Sequence, residues 1–234
     1  MPKKIRITKK TVKEPDEFVS VSGMAAEYIR NNYRNIVPMA VIVVVIALIA
    51  TAWTYYSRGR EKDAVLLFNQ SRQFYLSGSK APDQQPVAER YQKALEQFEN
   101  VTKKYSGTSS AIKSLIYMGD CSYHLGKYDQ AIEYYTTFIN KSEKGNYLRR
   151  SVLESLGYCY EGKGNYEQAL NYFKQSLDEG TAGTHELTYL DIARCYEALN
   201  DREHALEFYK KYTDSQSGSI FSALAQERIE ALKN

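Results

Sequence analysis

An all-α chain is what this sequence predicts: an N-terminal transmembrane helix, then an α-solenoid of about four helix pairs, then a C-terminal capping helix. Three observations lead there. The run IVPMAVIVVVIALIATAWTYY, residues 36–56, contains no charge. Beyond it, one stretch of sequence occurs three times with small residues at fixed places. Apolar residues in that region follow helical spacing and do not alternate as in strands.

Composition agrees with a folded protein. Of 234 residues, 43% are hydrophobic and 25% charged, which excludes a disordered chain. The net charge of +3 is unevenly placed. Residues 1–36 hold eight Lys/Arg and four Asp/Glu, and residues 57–234 hold the remaining 23 and 24. A basic tail (1–35) therefore precedes a nearly neutral body. That body lacks the clustered basic face that binding of nucleic acid requires.

The transmembrane helix is read at 36–57. At about 1.5 Å per residue, some twenty apolar residues cross a hydrocarbon core of about 30 Å. Pro38 lies near its start, where a missing backbone donor costs least. Tyr33 precedes the run, and Trp53, Tyr55 and Tyr56 close it, as aromatics do at membrane interfaces. A buried core helix rarely stays this apolar for this long. A cleaved signal peptide is the alternative, because Ala50-Thr51-Ala52 has the small-x-small form of a cleavage site. The long preceding tail and the continuation of the run to Tyr56 favour retention. Eight basic residues (Lys3, Lys4, Arg6, Lys9, Lys10, Lys13, Arg30, Arg34) outnumber Arg58, Arg60 and Lys62 after the run. The positive-inside rule then puts the tail in the cytoplasm.

The remainder, 58–234, is a repeat domain. MGDCSYHLGKYDQAIEYY (118–135), LGYCYEGKGNYEQALNYF (156–173) and IARCYEALNDREHALEFY (192–209) align without gaps, and Ala131, Ala169 and Ala205 fall 38 and 36 residues apart. The pattern resembles the tetratricopeptide repeat, W-x2-L-G-x2-Y followed by A-x3-F over about 34 residues. Leu115, Gly119, Ala131 and Tyr135 carry the match in one copy, and Leu153, Leu156, Gly157, Tyr160, Ala169 and Phe173 in the next. Tyr189, Ile192, Ala193, Tyr196, Ala205 and Tyr209 carry it in the third. The resemblance implies two antiparallel helices per repeat. Gly119, Gly157 and Ala193 on the first helix, and Ala131, Ala169 and Ala205 on the second, would then let the pair approach closely. Gly126 and Gly164 mark the turns between helices, where positive φ is needed.

A fourth, earlier repeat is expected from RYQKALEQFENVTKKYSG (90–107), which carries Ala94 and Phe98 at the alanine and aromatic places. Its first helix should lie within 63–78, followed by a loop holding Pro82 and Pro86. Repeats are thus expected near 63–107, 112–145, 150–183 and 186–217. A cap at 218–234 is expected from Ile220, Phe221, Leu224, Ile229 and Leu232, since a solenoid end needs a polar outer face.

Chemistry-bearing residues do not assemble into a catalytic pattern. Cys121, Cys159 and Cys195 occupy one equivalent position per repeat. Stacked equivalents lie roughly 10 Å apart, beyond the roughly 7 Å a disulfide allows, so they read as small buried hydrophobes. His124, His185 and His204 show no metal-ligand spacing and read as surface residues. Glu154, Glu161 and Glu197 read as members of solvated helix faces. No phosphate loop, nucleophile elbow or HExxH run is present. The sequence therefore argues against an enzyme, a metal site or a cofactor.

Function is expected on the groove that first helices line in a curved solenoid. The family's groove positions recur at i, i+3, i+7 and i+10. Carried onto this chain they are Lys113, Ile116, Asp120 and Tyr123; Ser151, Glu154, Tyr158 and Glu161; and Leu187, Leu190, Arg194 and Glu197. Only Lys113 and Arg194 suit a clamp for a peptide's terminal carboxylate, so the set fits an apolar or basic segment better. The order of features, basic tail, one span, then repeats, resembles the ancillary subunit family of the bacterial SecYEG translocon. That resemblance implies an inner-membrane protein with a periplasmic repeat domain. Its partners would be translocon components, chaperones or exported chains, with the bilayer contacted through 36–56. An envelope-assembly or cell-division scaffold, or the regulatory subunit of a membrane complex, is the alternative reading.

Overall fold

The computed structural model describes residues 17–80, 86–179, 186–215 and 220–233, with side chains from Gly23 onward in the first segment and to Leu76 within it. The six basic residues Lys3 to Lys13, Pro82, His185 and the start of the expected cap at 218–219 lie outside the described residues. Nine helices are present among those described: α1 (Glu17–Lys80), α2 (Val87–Lys104), α3 (Ser109–His124), α4 (Tyr128–Lys141), α5 (Leu148–Gly162), α6 (Tyr166–Asp178), α7 (Glu186–Ala198), α8 (Arg202–Ser215) and α9 (Ile220–Lys233). The chain divides into two compact units, Met1–Tyr56 and Ser57–Asn234.

Within the first unit, α1 contains the uncharged run. The helix runs from Glu17 through Lys80, with one non-helical residue at Asn32 (φ −115°, ψ 15°). The span expected at 36–57 and the helix expected within 63–78, which the sequence allows to continue it, are one helix. The intervening SRGREK contains one glycine and no proline, and Arg, Glu and Lys favour helix, so nothing there ends it. The side chains of Val37–Tyr56 are all exposed. This is the helix long and apolar enough to cross a membrane among those described.

In the second unit, α3 pairs with α4, α5 with α6 and α7 with α8, followed by α9, while α2 packs on α3 and the C-terminal part of α1 meets both through aromatic side chains. Phe68 of α1 meets Phe98 of α2 and Tyr117 of α3 with ring centroids 5.9 and 5.5 Å apart, and Phe98 stacks on Tyr117 at 4.9 Å. Arg60 and Glu61 reinforce that junction by complementing two helix ends. Arg60 Nη2 donates to the Lys104 carbonyl at 3.2 Å, at the C-terminus of α2. Glu61 accepts from the Ser109 and Ser110 amides at 2.7 and 3.1 Å, at the N-terminus of α3. A cation at a C-terminus and an anion at an N-terminus each oppose the local dipole charge and satisfy orphaned backbone groups.

The turns inside the pairs follow one design. Gly126, Gly164 and Asn200 have φ of 70°, 73° and 60°. Their amides donate to Tyr123, Glu161 and Glu197 carbonyls at 2.9, 2.8 and 3.0 Å, and the next amide reaches back to Ser122, Tyr160 and Tyr196. Left-handed backbone favours glycine, and asparagine tolerates it better than other side chains. The third turn was not singled out from sequence because Asn200 fills the place of a glycine.

Small residues decide how each pair closes. Ala131, Ala169, Ala193 and Ala205 are wholly buried. A Cβ placed on Gly119 would come within 2.4 Å of the Tyr135 ring, and one on Gly157 within 2.5 Å of the Phe173 ring. The nearest neighbour of each glycine is thus the aromatic side chain of the facing helix. Gly162 has a different use: its added Cβ would meet the Tyr128 ring of the preceding pair at 2.7 Å.

Three substitutions test this account by circular-dichroism melting of the detergent-solubilised full chain. Gly157→Ala should lower stability by about 1–2 kcal/mol, because overpacking against buried Phe173 outweighs the helix propensity gained. Gly59→Ala, with open space around it, should not lower it. Glu61→Ala should cost about 1 kcal/mol, the usual effect of losing a helix cap.

Candidate partner-binding face

The first helices α5, α7 and α9 are joined by polar contacts at successive turns. Thr188 donates to Glu154 at 2.9 Å, the Tyr158 hydroxyl donates to Asp191 at 2.7 Å, and Arg194 forks onto Glu161 at 2.6 and 2.8 Å. Arg194 also donates to Asp191 at 2.9 Å. One step on, Arg228 of α9 pairs with Glu197 of α7, which also accepts from the Tyr209 hydroxyl at 2.9 Å. In α3, Asp120 accepts from the Tyr135 hydroxyl at 2.6 Å. The ladder lies along helix faces that carry the i, i+3, i+7 positions, so each rung meets its counterpart one repeat away.

Glu154, Glu161 and Glu197 therefore do not belong to freely solvated faces, as the sequence had suggested. Their side chains keep only 20–23% of their exposure. Stacking brings each against a donor from the next helix, which spacing within a single helix does not reveal. Burial raises the Asp191 carboxyl above its ordinary range, opposed by the Tyr158 hydrogen bond and the Arg194 charge. Burial likewise raises Asp120, opposed by Tyr135 and His124. The ion pair with Glu161 raises Arg194 and holds it charged.

Beside the ladder opens a cavity of about 580 Å³, lined at one end by Leu187, Leu190, Phe221 and Leu224 and at the other by Asp191, Arg194, Glu197 and Arg228. Tyr158, Ala198, Tyr209 and Ala225 complete it. A smaller one of about 100 Å³ lies among Asp120, Tyr123, His124, Tyr135, Ser155 and Tyr158. Of the twelve groove positions read from sequence, Tyr158, Leu187, Leu190, Arg194 and Glu197 line the first cavity. Asp120 and Tyr123 join Tyr158 on the second. Glu154 and Glu161 form rungs next to them. Lys113 and Ser151 are exposed outside both cavities, and Ile116 packs against the core.

The sequence reading missed the α9 contribution. It assigned Phe221 and Leu224 to the packing of a cap, yet both are more than half exposed and face the cavity, while Ala225 and Ile229 make the core contact. His124 and His204 are exposed but stacked on Tyr91 and Tyr196 at 4.5 and 4.9 Å. Among the described residues, no group of three His, Cys, Asp or Glu side chains could hold a metal.

The residues from 110 to 216 match the family model of the tetratricopeptide repeat in two overlapping segments, 110–178 and 150–216. The chain carries tetratricopeptide repeats over that region. No curated protein matches it. Among solved structures, it is similar to a tetratricopeptide repeat protein from Parabacteroides merdae, with 20% identity and a TM-score of 0.59, covering 74% of this chain and 60% of that one. The chain thus spans about three fifths of the length of that relative. It is similar to a putative kinesin light chain with TPR-like repeats from Podosopora anserina, with 14% identity, a TM-score of 0.56, and 74% and 86% covered. It is also similar to BtubC from P. vanneervenii, with 11% identity, a TM-score of 0.54, and 75% and 82% covered. Such identities speak to the fold alone.

Cys121, Cys159 and Cys195 are wholly buried and unbridged, and burial pushes each thiol up to about 12. Since the thiolate is the reactive form, the folded chain should take up no alkylating reagent at neutral pH and three equivalents in urea. Intact-mass measurement reads this directly.

Proposed function

We propose that this repeat-bearing chain is a membrane-anchored scaffold that captures protein segments on the face formed by its first helices. The open cavity beside the ladder carries the reading, because Leu187, Phe221 and Leu224 on its wall are more than half exposed. Support for the anchor comes from Val37–Tyr56, which are uncharged and exposed along a single helix. Twenty such residues in water would be strongly unfavourable, whereas a hydrocarbon core satisfies both their surface and their length.

The finer reading is an ancillary subunit of the protein-export translocon. It would sit in a bacterial inner membrane with the N-terminus cytoplasmic and the repeats periplasmic, passing exported chains to chaperones. Its support is the order of features and the basic tail.

A photo-reactive amino acid at Leu187 should crosslink a partner in intact cells, whereas one at Glu167, exposed on α6 away from the cavity, should not. Mass spectrometry of the adduct should return translocon subunits or exported chains. Equal capture at both positions would overturn the binding face, and adducts free of export components would overturn the translocon reading alone. A mature N-terminus beginning after Ala52 would remove the anchor.

A further inference from the structure

The helix α9 continues the series of first helices. Phe221, Leu224 and Arg228 stand 34 residues after Leu187, Leu190 and Arg194, which is the repeat length of about 34. The correspondence holds on the buried side, where Ala225 and Ile229 take the places of Asp191 and Cys195. It fails on one side only. Ile192, Ala193 and Tyr196, in the α7–α8 core, are replaced by exposed Gln226, Glu227 and Glu230. α9 is therefore a half repeat that presents three of the four groove positions, with Ala231 in the place of Glu197.

The apolar end of the cavity is made of two short rows on neighbouring helices, Leu187 with Leu190 and Phe221 with Leu224. Each row has i, i+3 spacing, and three of the four residues are 52–58% exposed. Two such ridges with a trough between them suit the apolar face of an inserted helix, read as anchors at i, i+3 and i+7.

The polar end fixes the charge of the occupant. Two carboxylates, Asp191 and Glu197, line it with two guanidiniums, Arg194 and Arg228, and a third carboxylate, Glu161, joins this cluster through Arg194 without lining the cavity. Both guanidiniums are already engaged by those carboxylates. One negative charge is left over. An acidic occupant would meet a cluster that already carries the surplus negative charge and whose arginines are engaged through Nε and Nη2. A basic occupant offsets that surplus without breaking a rung.

We propose that this cavity takes the apolar face of a helical protein segment bearing Lys or Arg beside its anchors, and that it discriminates against acidic segments. The proposal rests on the scaffold reading above and names the partner's chemistry.

The test uses the full chain in nanodiscs of zwitterionic lipid and fluorescent helical peptides that share Leu and Phe anchors but carry either lysine or glutamate flanks. Anisotropy titrations, with empty discs subtracted, should give the lysine peptide an affinity at least about ten-fold higher, as expected for one favourable against one unfavourable charge. The double variant Leu190→Ser, Leu224→Ser should weaken it by about ten-fold or more, through the loss of two apolar contacts. Its melting curve should remain cooperative, since Leu224 is more than half exposed and Leu190, which packs partly on the core, is only half-buried. Arg228→Gln should tighten the lysine peptide, whereas a carboxylate clamp would lose binding. Preference for the glutamate peptide overturns the proposal, as does unchanged binding to the double variant or equal binding to empty discs. A doubled molar mass abolished by Leu224→Ser would make a second copy the occupant and also overturn it. If the peptides fail while crosslinking at Leu187 still captures a partner, the charge assignment falls and the scaffold reading stands.

Discussion

The repeat unit depends on a flat aromatic ring lying where the facing helix has no side chain. Tyr135 covers Gly119 and Phe173 covers Gly157, each ring buried to 2% exposure or less. Glycine inside a helix costs about 1 kcal/mol relative to alanine, and burying an aromatic ring recovers more than that. The exchange also sets geometry, because ring thickness fixes how near the helices come. Where alanine replaces glycine, at Ala193, the facing Tyr209 hydroxyl bonds to Glu197, four residues on, whereas Tyr135 bonds to Asp120, the residue next to its glycine. A single methyl group thus accompanies a different hydrogen-bond partner and, through Glu197, a different wall for the large cavity.

Stacking creates a second constraint. The first helices of adjacent repeats present acidic residues to one another, and closeness raises the energy of every unpaired carboxylate. The chain answers with donors from the neighbouring repeat: Thr188 for Glu154, Tyr158 for Asp191 and Arg194 for Glu161. Exposed ion pairs contribute little stability individually. These contribute register, since a slip by one residue would put several half-buried carboxylates opposite each other without donors. The ladder and the proposed partner-binding face share one surface, so what holds the repeats in step would also determine the charge a partner meets.

Much of this was legible from residue spacing. Small residues at matched places and the aromatic four positions after the alanine were enough to place the helix pairs and their buried contacts. The groove positions were legible only as a periodic set. Which of them meet a cavity depends on how neighbouring helices stagger: Leu187 and Leu190 line the large cavity, while Ile116, equivalent to Leu190 and like it packed partly against the core, lines neither cavity. The acidic residues were misread for a related reason. Glu154 and Glu161 look solvated along their own helix, and their partners lie 34 and 33 residues away. The third turn and the last repeat were obscured by substitution, asparagine for glycine at 200 and Glu227 for the small residue.

That last substitution explains why the half repeat both ends the packing and extends the binding face. A helix has several faces, and the solenoid assigns them separately: one to the previous repeat, one to its own second helix, one to the groove. In α9 the first is kept apolar by Ala225 and Ile229. The second carries Gln226, Glu227 and Glu230 and is solvated. The third keeps Phe221, Leu224 and Arg228, although no packing within the chain requires large apolar groups there. Residues on a solvated helix surface are ordinarily free to be polar, as this helix's own second face is. Retaining two large apolar side chains in register with Leu187 and Leu190, and an arginine in register with Arg194, is a selective arrangement on one face of one helix. Stability of the repeats alone does not call for it. A partner laid against both α7 and α9, as proposed above, would.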